Sequence, residues 1–383
     1  MPVLRYLRGI FRAKRLASCR KKLTFAERDR LRSGNKPTSP ITHMILIRGK
    51  EGLVHRTGKE IQNVFQNLFK QRGKWRRKAA ELAPYYSDDA PRARNERKMI
   101  VCMFDGRTDH YGMTDRLRGI VSSYYICKEL GYDFRIHFVN PFQLENYLAP
   151  NLVDWRIDPD LLCYNTQDAT VMYCGSNGTH VEPFFQKRWF RKCFRASCKQ
   201  VHVYTNAHLL PHSKQFGALF NELFRPTEKV ENAVRQTTGM LTNGYYTISL
   251  RFQRLLGDFV ERDGVDITPE EQEKLMERCV RKIEELHQQL DNGKRIVLMS
   301  DSMRFLSYAT ERLDYVCYVP GKVLHIDFCD STPDEVNIKL FADIFIISRA
   351  ERAYLLQTGK MYNSGFPRRA AQVGNVPFRH IRF

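Results

Sequence analysis

The sequence holds no Cys-x-x-Cys pair, no His-Glu-x-x-His, no Walker loop and no Gly-x-Gly-x-x-Gly. Those gaps leave no zinc-ribbon, zincin, P-loop or simple dinucleotide-binding signature to argue from. It also lacks a run of about 18 consecutive apolar residues, the length needed to span a bilayer as a helix. Cys102, Cys127, Cys317 and Cys329 all sit inside apolar runs, where a free thiol behaves as a small hydrophobe, and 383 residues is far too long for a disulfide scaffold. Reduced cysteines and a cytoplasmic location are the expectation. Asn177-Gly178-Thr179 fits a glycosylation acceptor, and without a secretory signal it reads as a turn.

Acidic residues are scarce in one region only. Residues 1–98 carry 26 Lys and Arg against 8 Asp and Glu, whereas the remaining chain carries 36 against 34. The net charge of +20 therefore belongs to a leader, and the nearly neutral body argues against a nucleic-acid-binding module, whose positive footprint lies on the folded recognition surface. The leader begins MPVLRYLRGIFRAKRLASCRKK, with Val3, Leu4, Leu7, Ile10 and Phe11 at helical spacing among arginines and lysines. Residues 1–22 read either as a helix lying on an anionic membrane surface or as a helix packed on its own protein with a solvated basic face.

With 43% hydrophobic residues the chain can build real cores, and its length predicts more than one domain. GNKPTSP (34–40) and the stretch from Ala83 to Lys98 read as breaks. MIVCMF from Met99 predicts a strand, followed by a polar loop from Gly106 to Gly112. A helix capped by Thr114 and stopped at Gly131 comes next, and then the strand FRIHF. This is a βαβ unit. A second α/β series starts near Leu241 with YYTISL. Thr268-Pro269-Glu270-Glu271 caps a long helix, RIVLMS is a strand ending at Asp301-Ser302, and YVCYV and VLHIDF are further strands; ADIFIIS fits either strand or buried helix. The expected class is α/β.

In such sheets ligands bind beyond the carboxyl ends of the strands. Three places put polar residues there. One is FDGRTDHYGMTDRLRG (104–119), where Gly106 and Gly112 let the backbone approach a ligand and His110, Asp109 and Asp115 are candidate bases. Another is Arg251, whose permanent charge at a strand end calls for an anion or for an ion pair with Asp258. The last is Asp301-Ser302 together with Asn363-Ser364-Gly365-Phe366-Pro367, where Ser364 can cap a helix whose N-terminus faces an anion. Other constellations are weaker. Pro211 interrupts His208 and His212, Asp158-Pro159-Asp160 reads as a turn, and Cys193 and Cys198 lie among cations that would lower a thiol pKa. FFQKRWFRKCFR from Phe184 reads as a surface helix, or as a platform for a sugar or base.

The glycine loop, the strand ending in Arg251, the strand-end Asp301-Ser302 and the late Tyr362-Asn363-Ser364-Gly365-Phe366 occur in an order that resembles the GDP-fucose-dependent fucosyltransferase superfamily, from Met99 to Phe383. The resemblance implies a GT-B glycosyltransferase: after a basic helical extension (1–98), two Rossmann-like domains (99–240 on the acceptor side, 241–383 on the donor side) face a cleft. It implies GDP-fucose as donor, a glycan acceptor, inversion, and no metal or other cofactor. Arg251 would hold the pyrophosphate, with Asp301, Ser302, Ser364, Gly365 and Phe366 around the nucleotide and Gly106 to Asp115 lining the cleft. Arg116 or Arg118 would add charge to meet the leaving group. The chain departs from the family's His-x-Arg by writing Ser249-Leu250-Arg251, with the acidic residue displaced to Asp258. A different nucleotide sugar, or a nucleic-acid-binding or scaffold protein with an inert cleft, is the alternative.

Overall fold

The structure, a computed structural model, describes residues 45–49, 52–56, 58–175, 183–212, 214–239, 241–259, 264–290, 293–321, 323 and 331–383, with backbone alone for 45–65 and 183. The basic helix of residues 1–22, the break at 34–40, Asn177 to Thr179, Cys329 and nearly all of the VLHIDF strand lie outside the described residues. The chain divides into two compact units, residues 1–63 and 64–383. In the first, β1 (Ile45–Gly49) pairs antiparallel with β2 (Gly52–Arg56). Helix α1 (Gly58–Glu81) follows, and its Leu68 and Trp75 are buried in the core of the second unit.

Continuous apolar runs become parallel strands covered on both faces. The first series is β3 (Met99–Phe104), α2 (Met113–Leu130), β4 (Asp133–Phe138), β5 (Leu148–Pro150), β6 (Ala169–Cys174), α3 (Pro183–Phe194) and β7 (Gln200–Thr205). Strands β4-β3-β7-β6 form an all-parallel sheet in that order. Every residue of β3 is buried. Gly131 ends α2 in the left-handed conformation (φ 69°), as its position after the periodic run predicts. The start differs from expectation: Gly112 is the cap and Thr114 lies inside the first turn, because a glycine entering the helix from the loop needs no side-chain cap to turn the chain.

Helix α4 (Lys214–Leu223), β8 (Phe224–Pro226) and α5 (Glu228–Thr238) lead to the second sheet, and β8 pairs antiparallel with β5. There β9 (Tyr245–Leu250), α6 (Pro269–Gln288), β10 (Arg295–Ser300), α7 (Met303–Thr310), β11 (Val316–Tyr318), α8 (Asp334–Arg349), β12 (Arg352–Gln357), α9 (Phe366–Val373) and β13 (Phe378–Arg382) alternate. The sheet order β11-β10-β9-β12-β13 is all parallel, with the first strand of the series in the middle. Thr268 and Glu271 form the expected capping box of α6.

ADIFIIS resolves as helix, the C-terminal half of α8. Phe341, Ala342, Ile344, Phe345, Ile346 and Ile347 are all buried in one core shared with β3, β7, Val297 and Met299, so the helix has no polar face to give it a readable period. Tyr147 stacks on Phe341 (5.2 Å) and Phe142 meets it edge-on, carrying the core from the first sheet's loops onto α8. A Cβ on Gly374 would lie 1.6 Å from the Ser348 carbonyl oxygen, and one on Gly217 would lie 2.1 Å from that of Gln372. Only glycine lets α4, α8 and α9 approach so closely. The opposite face of the second sheet packs Ile248, Leu250, Ile296 and Leu298 against Cys279, Ile283, Phe305 and Leu306 of α6 and α7.

The stretch from Ala83 to Lys98 is bound along the first sheet. Asn165 donates to the carbonyls of Asp88 and Ala90, Arg92 forks onto Asp168 (2.6 and 2.9 Å), and Asn95 donates to Lys199 O. Proline and charge here serve a fixed irregular segment. Among the described residues no helix is long and apolar enough to cross a membrane.

Candidate functional site

At the carboxyl end of β9 the chain turns sharply. Asp301, two residues beyond Met299 on the neighbouring strand line, accepts the backbone N–H groups of Phe252 (2.8 Å) and Gln253 (2.7 Å). Gln253 is left-handed (φ 53°), which a turn this tight requires. Arg251 Nε lies 3.2 Å from Asp301 Oδ2, and its guanidinium lies over the Phe259 ring, 4.2 Å from the centroid. Burial pushes the Asp301 carboxyl above its ordinary range, a rise that Arg251 and the two N–H donors offset only in part. The sequence offers Asp258 as the alternative to a bound anion; the structure sets Asp301 against Arg251. Asp258 instead accepts from Ser302 Oγ (3.0 Å) and the Arg304 N–H (2.9 Å), while Ser302 Oγ accepts the Phe305 N–H (3.0 Å) and caps α7.

The loop after β12 closes on the same place. Tyr362 donates its N–H to the Arg251 carbonyl (3.0 Å), which sets Asn363, Ser364 and Gly365 beside the end of β9. Gly365 is the cap residue of α9, which starts at Phe366, one residue earlier than expected. Ser364 Oγ accepts the Phe366 N–H (3.2 Å), so it binds the first N–H of the helix and is not itself the cap residue. β9 and β12 are neighbours whose connections leave in opposite directions, the crevice where α/β sheets admit ligands. Arg251, Asp301, Ser302, Ser364, Gly365 and Phe366 are therefore brought to one end of one sheet.

The first sheet has its own crevice, between β3 and β7. Asp105 accepts from Tyr204 OH (2.7 Å) and the Arg107 N–H (3.1 Å). Burial raises its pKa, but the neighbouring His110 and hydrogen bonds from Tyr204 and the Arg107 backbone outweigh this and hold it below its ordinary range. Gly106 is left-handed (φ 79°) and packs on Asn140. His110 is buried, accepts the Gly106 N–H at Nε2 (3.0 Å) and stacks on Tyr204. It is turned into its own loop, where it holds the turn. Gly112 has an ordinary extended backbone (φ −63°, ψ 162°) and caps α2. Arg116 is fully buried, giving Nε to Tyr111 O (2.8 Å) and Nη1 to Asn140 O (2.6 Å). It braces the loop and does not face the crevice. Asp109 is exposed, 3.9 Å from Lys78 Nζ.

Asp115 and Arg118, at the start of α2, form an ion pair of 2.6 Å, and Arg118 Nε also donates to Asn206 O. Across from them lies Arg369 of α9. Burial and then the charge of Arg118 press its pKa down to about 10, while Asp115 raises it. It remains cationic at neutral pH, stacks on Phe216 (4.7 Å) and donates to Gln372 Oε1 (2.7 Å). Arg369 thus lies within electrostatic reach of Asp115 and Arg118, both in the loop-helix expected from sequence. Arg369 was missed. The RRAAQVG that contains it reads as any basic helix, and only the packing of α9 onto α4 singles out one of its two arginines. Asp105 and Tyr204 were missed as well, since nothing local marks a tyrosine in β7 as the partner of an aspartate after β3.

The weaker constellations stay structural. Asp158 caps a short 3-10 turn at Pro159–Leu161. Burial raises the Cys193 thiol to about 11 and raises Cys198 too, against the expectation that basic neighbours would lower them. FFQKRWFRKCFR is helix α3, with Trp189 against Trp75 and Arg72. Among the described residues no cluster of three metal-ligating side chains occurs.

No family model and no curated protein matches the chain. Solved structures with a similar fold include fucosyltransferase NodZ from Bradyrhizobium, with 13% identity over 76% of this chain and 96% of that chain and a TM-score of 0.49. Another is a variant of FUT1 from Arabidopsis thaliana in complex with GDP, with 13% identity over 84% and 78% and a TM-score of 0.46. POFUT1 in complex with GDP-fucose shows 10% identity over 78% and 99%, with a TM-score of 0.42. At these scores a functional reading rests on the residues of the site itself.

Proposed function

We propose that the chain is a GT-B glycosyltransferase that transfers fucose from GDP-fucose to a glycan acceptor with inversion. Residues 99–240 form the acceptor side and residues 241–383 the donor side. The observation that carries the reading is the junction at the end of β9, where Arg251, the 362–365 turn and the start of α9 converge. The motif order from Gly106 to Phe366 supports it.

In this reaction the acceptor oxygen bonds to the anomeric carbon as the bond from that carbon to the β-phosphate oxygen of GDP breaks. The acceptor proton passes to a base, and negative charge grows on the departing GDP. Arg251 and the positive end of the α9 dipole meet that charge without need of a metal, as groups already in place before the reaction. Arg369 adds positive charge on α9, and Arg118, paired with Asp115, stands at the start of α2. Asp115 and Asp109 are the carboxylates of the loop that reach the surface, and Asp115, paired to Arg118, is the proposed base. His110, buried against Tyr204, positions the loop.

The test is release of GDP and appearance of fucosylated product from GDP-fucose and a panel of glycan acceptors. Arg251→Ala should lower turnover about a hundredfold or more, as loss of a charge-stabilising donor does. Equal turnover by the variant, or hydrolysis of other nucleotide sugars at the same rate, would contradict the assignment.

A further inference from the structure

Beside the donor site, α9 lines a second cavity of about 210 Å3, between the start of α4 and the first residue of β13. Lys214 and Arg368 line it from separate elements, together with Gln372, Asn375 and Phe378. No carboxylate is among the described residues that line it. Arg368 lies over the face of Phe378, 5.4 Å from its centroid, which holds the guanidinium in place beside an apolar ring. The wider surface has the same sign: residues 352–383 contain six Lys and Arg and no Asp or Glu, in a body that is otherwise close to neutral. His380 on β13 has its pKa lowered by burial and then by Arg382 and Arg368, which reports a positive local field. The cavity is smaller than the roughly 300–1,000 Å3 of pockets for larger ligands, and leaves room for one ring.

We propose that this cavity is an acceptor subsite for a single acidic sugar unit, its carboxylate between Lys214 and Arg368 and its ring against the apolar lining of Ala371 and Val376. This rests on the glycosyltransferase reading for its role but not for its binding chemistry. Two cations from different elements fix one anionic group, the apolar Ala371 and Val376 suit the C–H side of a pyranose, and Asn375 offers an amide for ring hydroxyls. Arg368 lies in the first turn of α9, so a sugar seated here is within a few residues of the helix end proposed to bind the donor. The acceptor class that follows is a glycan carrying uronic acid.

The experiment titrates the full chain, saturated with GDP, with glucuronic acid, glucose and inorganic phosphate by isothermal calorimetry, and repeats it with Lys214→Gln and Arg368→Gln. Saturable glucuronic acid binding is expected, weakened about tenfold or more in either variant, with glucose and phosphate each binding about tenfold or more weaker. Equal binding of glucose and glucuronic acid, or unchanged binding in both variants, would overturn the proposal. Phosphate binding as tight as glucuronic acid would also overturn it, leaving a simple anion site. Lys214 is exposed, so Lys214→Gln should fold normally and keep its thermal response to GDP. Loss of the GDP response in the unmodified chain, with glucuronic acid binding intact, would remove the donor reading and leave the sugar site standing.

Discussion

His202 sits fully buried on β7, its Nδ1 accepting from Tyr86 OH and its Nε2 facing Gln200 Oε1 (3.1 Å). That pairing fits the neutral ring with the proton on Nε2. Burial pushes its pKa down to about 3, so the folded state resists a proton that the unfolded chain takes up near pH 6.5. A depressed folded pKa gives stability that is full above 6.5 and declines as pH falls from there towards 3. This one group should remove about 2 kcal/mol between pH 7 and pH 5. Urea unfolding at the two pH values measures it, and His202→Gln should flatten the slope; an unchanged slope would place the acid sensitivity elsewhere. At this scale the sequence was informative where chemistry forces a partner. A permanent charge at a strand end announces that it needs an anion, and Arg251 has one in Asp301. It could not say which carboxylate, because Asp258 is near in sequence and Asp301 near only in the folded sheet.

Elements place these residues by close approach. A Cβ on Gly119 of α2 would lie 2.0 Å from the Thr205 carbonyl oxygen at the end of β7, backbone that cannot step aside. Gly119→Ala should cost about 1–3 kcal/mol through displacement of α2, and with it the loop from Asp105 to Gly112. Gly73 of α1 provides the control, since a Cβ there meets nothing within 4 Å. Gly73→Ala should be neutral or stabilising by up to about 1 kcal/mol. Equal midpoints for the two variants in urea would show that α2 is not pinned on β7. Element types were mostly legible, because β3, β9 and β10 are apolar runs of strand length bounded by turn residues, and α6 carries a full capping box. Helix α8 was not, for its burial on all sides erases the period that separates helix from strand. The cap of α2 was misplaced because a glycine cap leaves no side-chain signature.

At the scale of the molecule, two all-parallel sheets direct the ends of β3, β7, β9 and β12 into loops that carry nearly every polar residue discussed. The alternation of strand and helix was readable, but strand order was not. No local pattern says that β12 will lie beside β9, and that adjacency is what brings Ser364 and Arg251 together. The central claim is that this junction binds the pyrophosphate of a guanine nucleotide. The most direct measurement is thermal unfolding with GDP, UDP, ADP or CMP in the presence of EDTA, for the native chain and for Arg251→Ala. A ligand at a hundred times its dissociation constant adds about 2.7 kcal/mol to the folded state, enough to move the midpoint visibly. A shift with GDP alone, lost in Arg251→Ala, is the predicted result. No shift with any nucleotide from a folded sample, or an equal shift in the variant, would contradict it and leave Arg251 as the structural partner of Asp301.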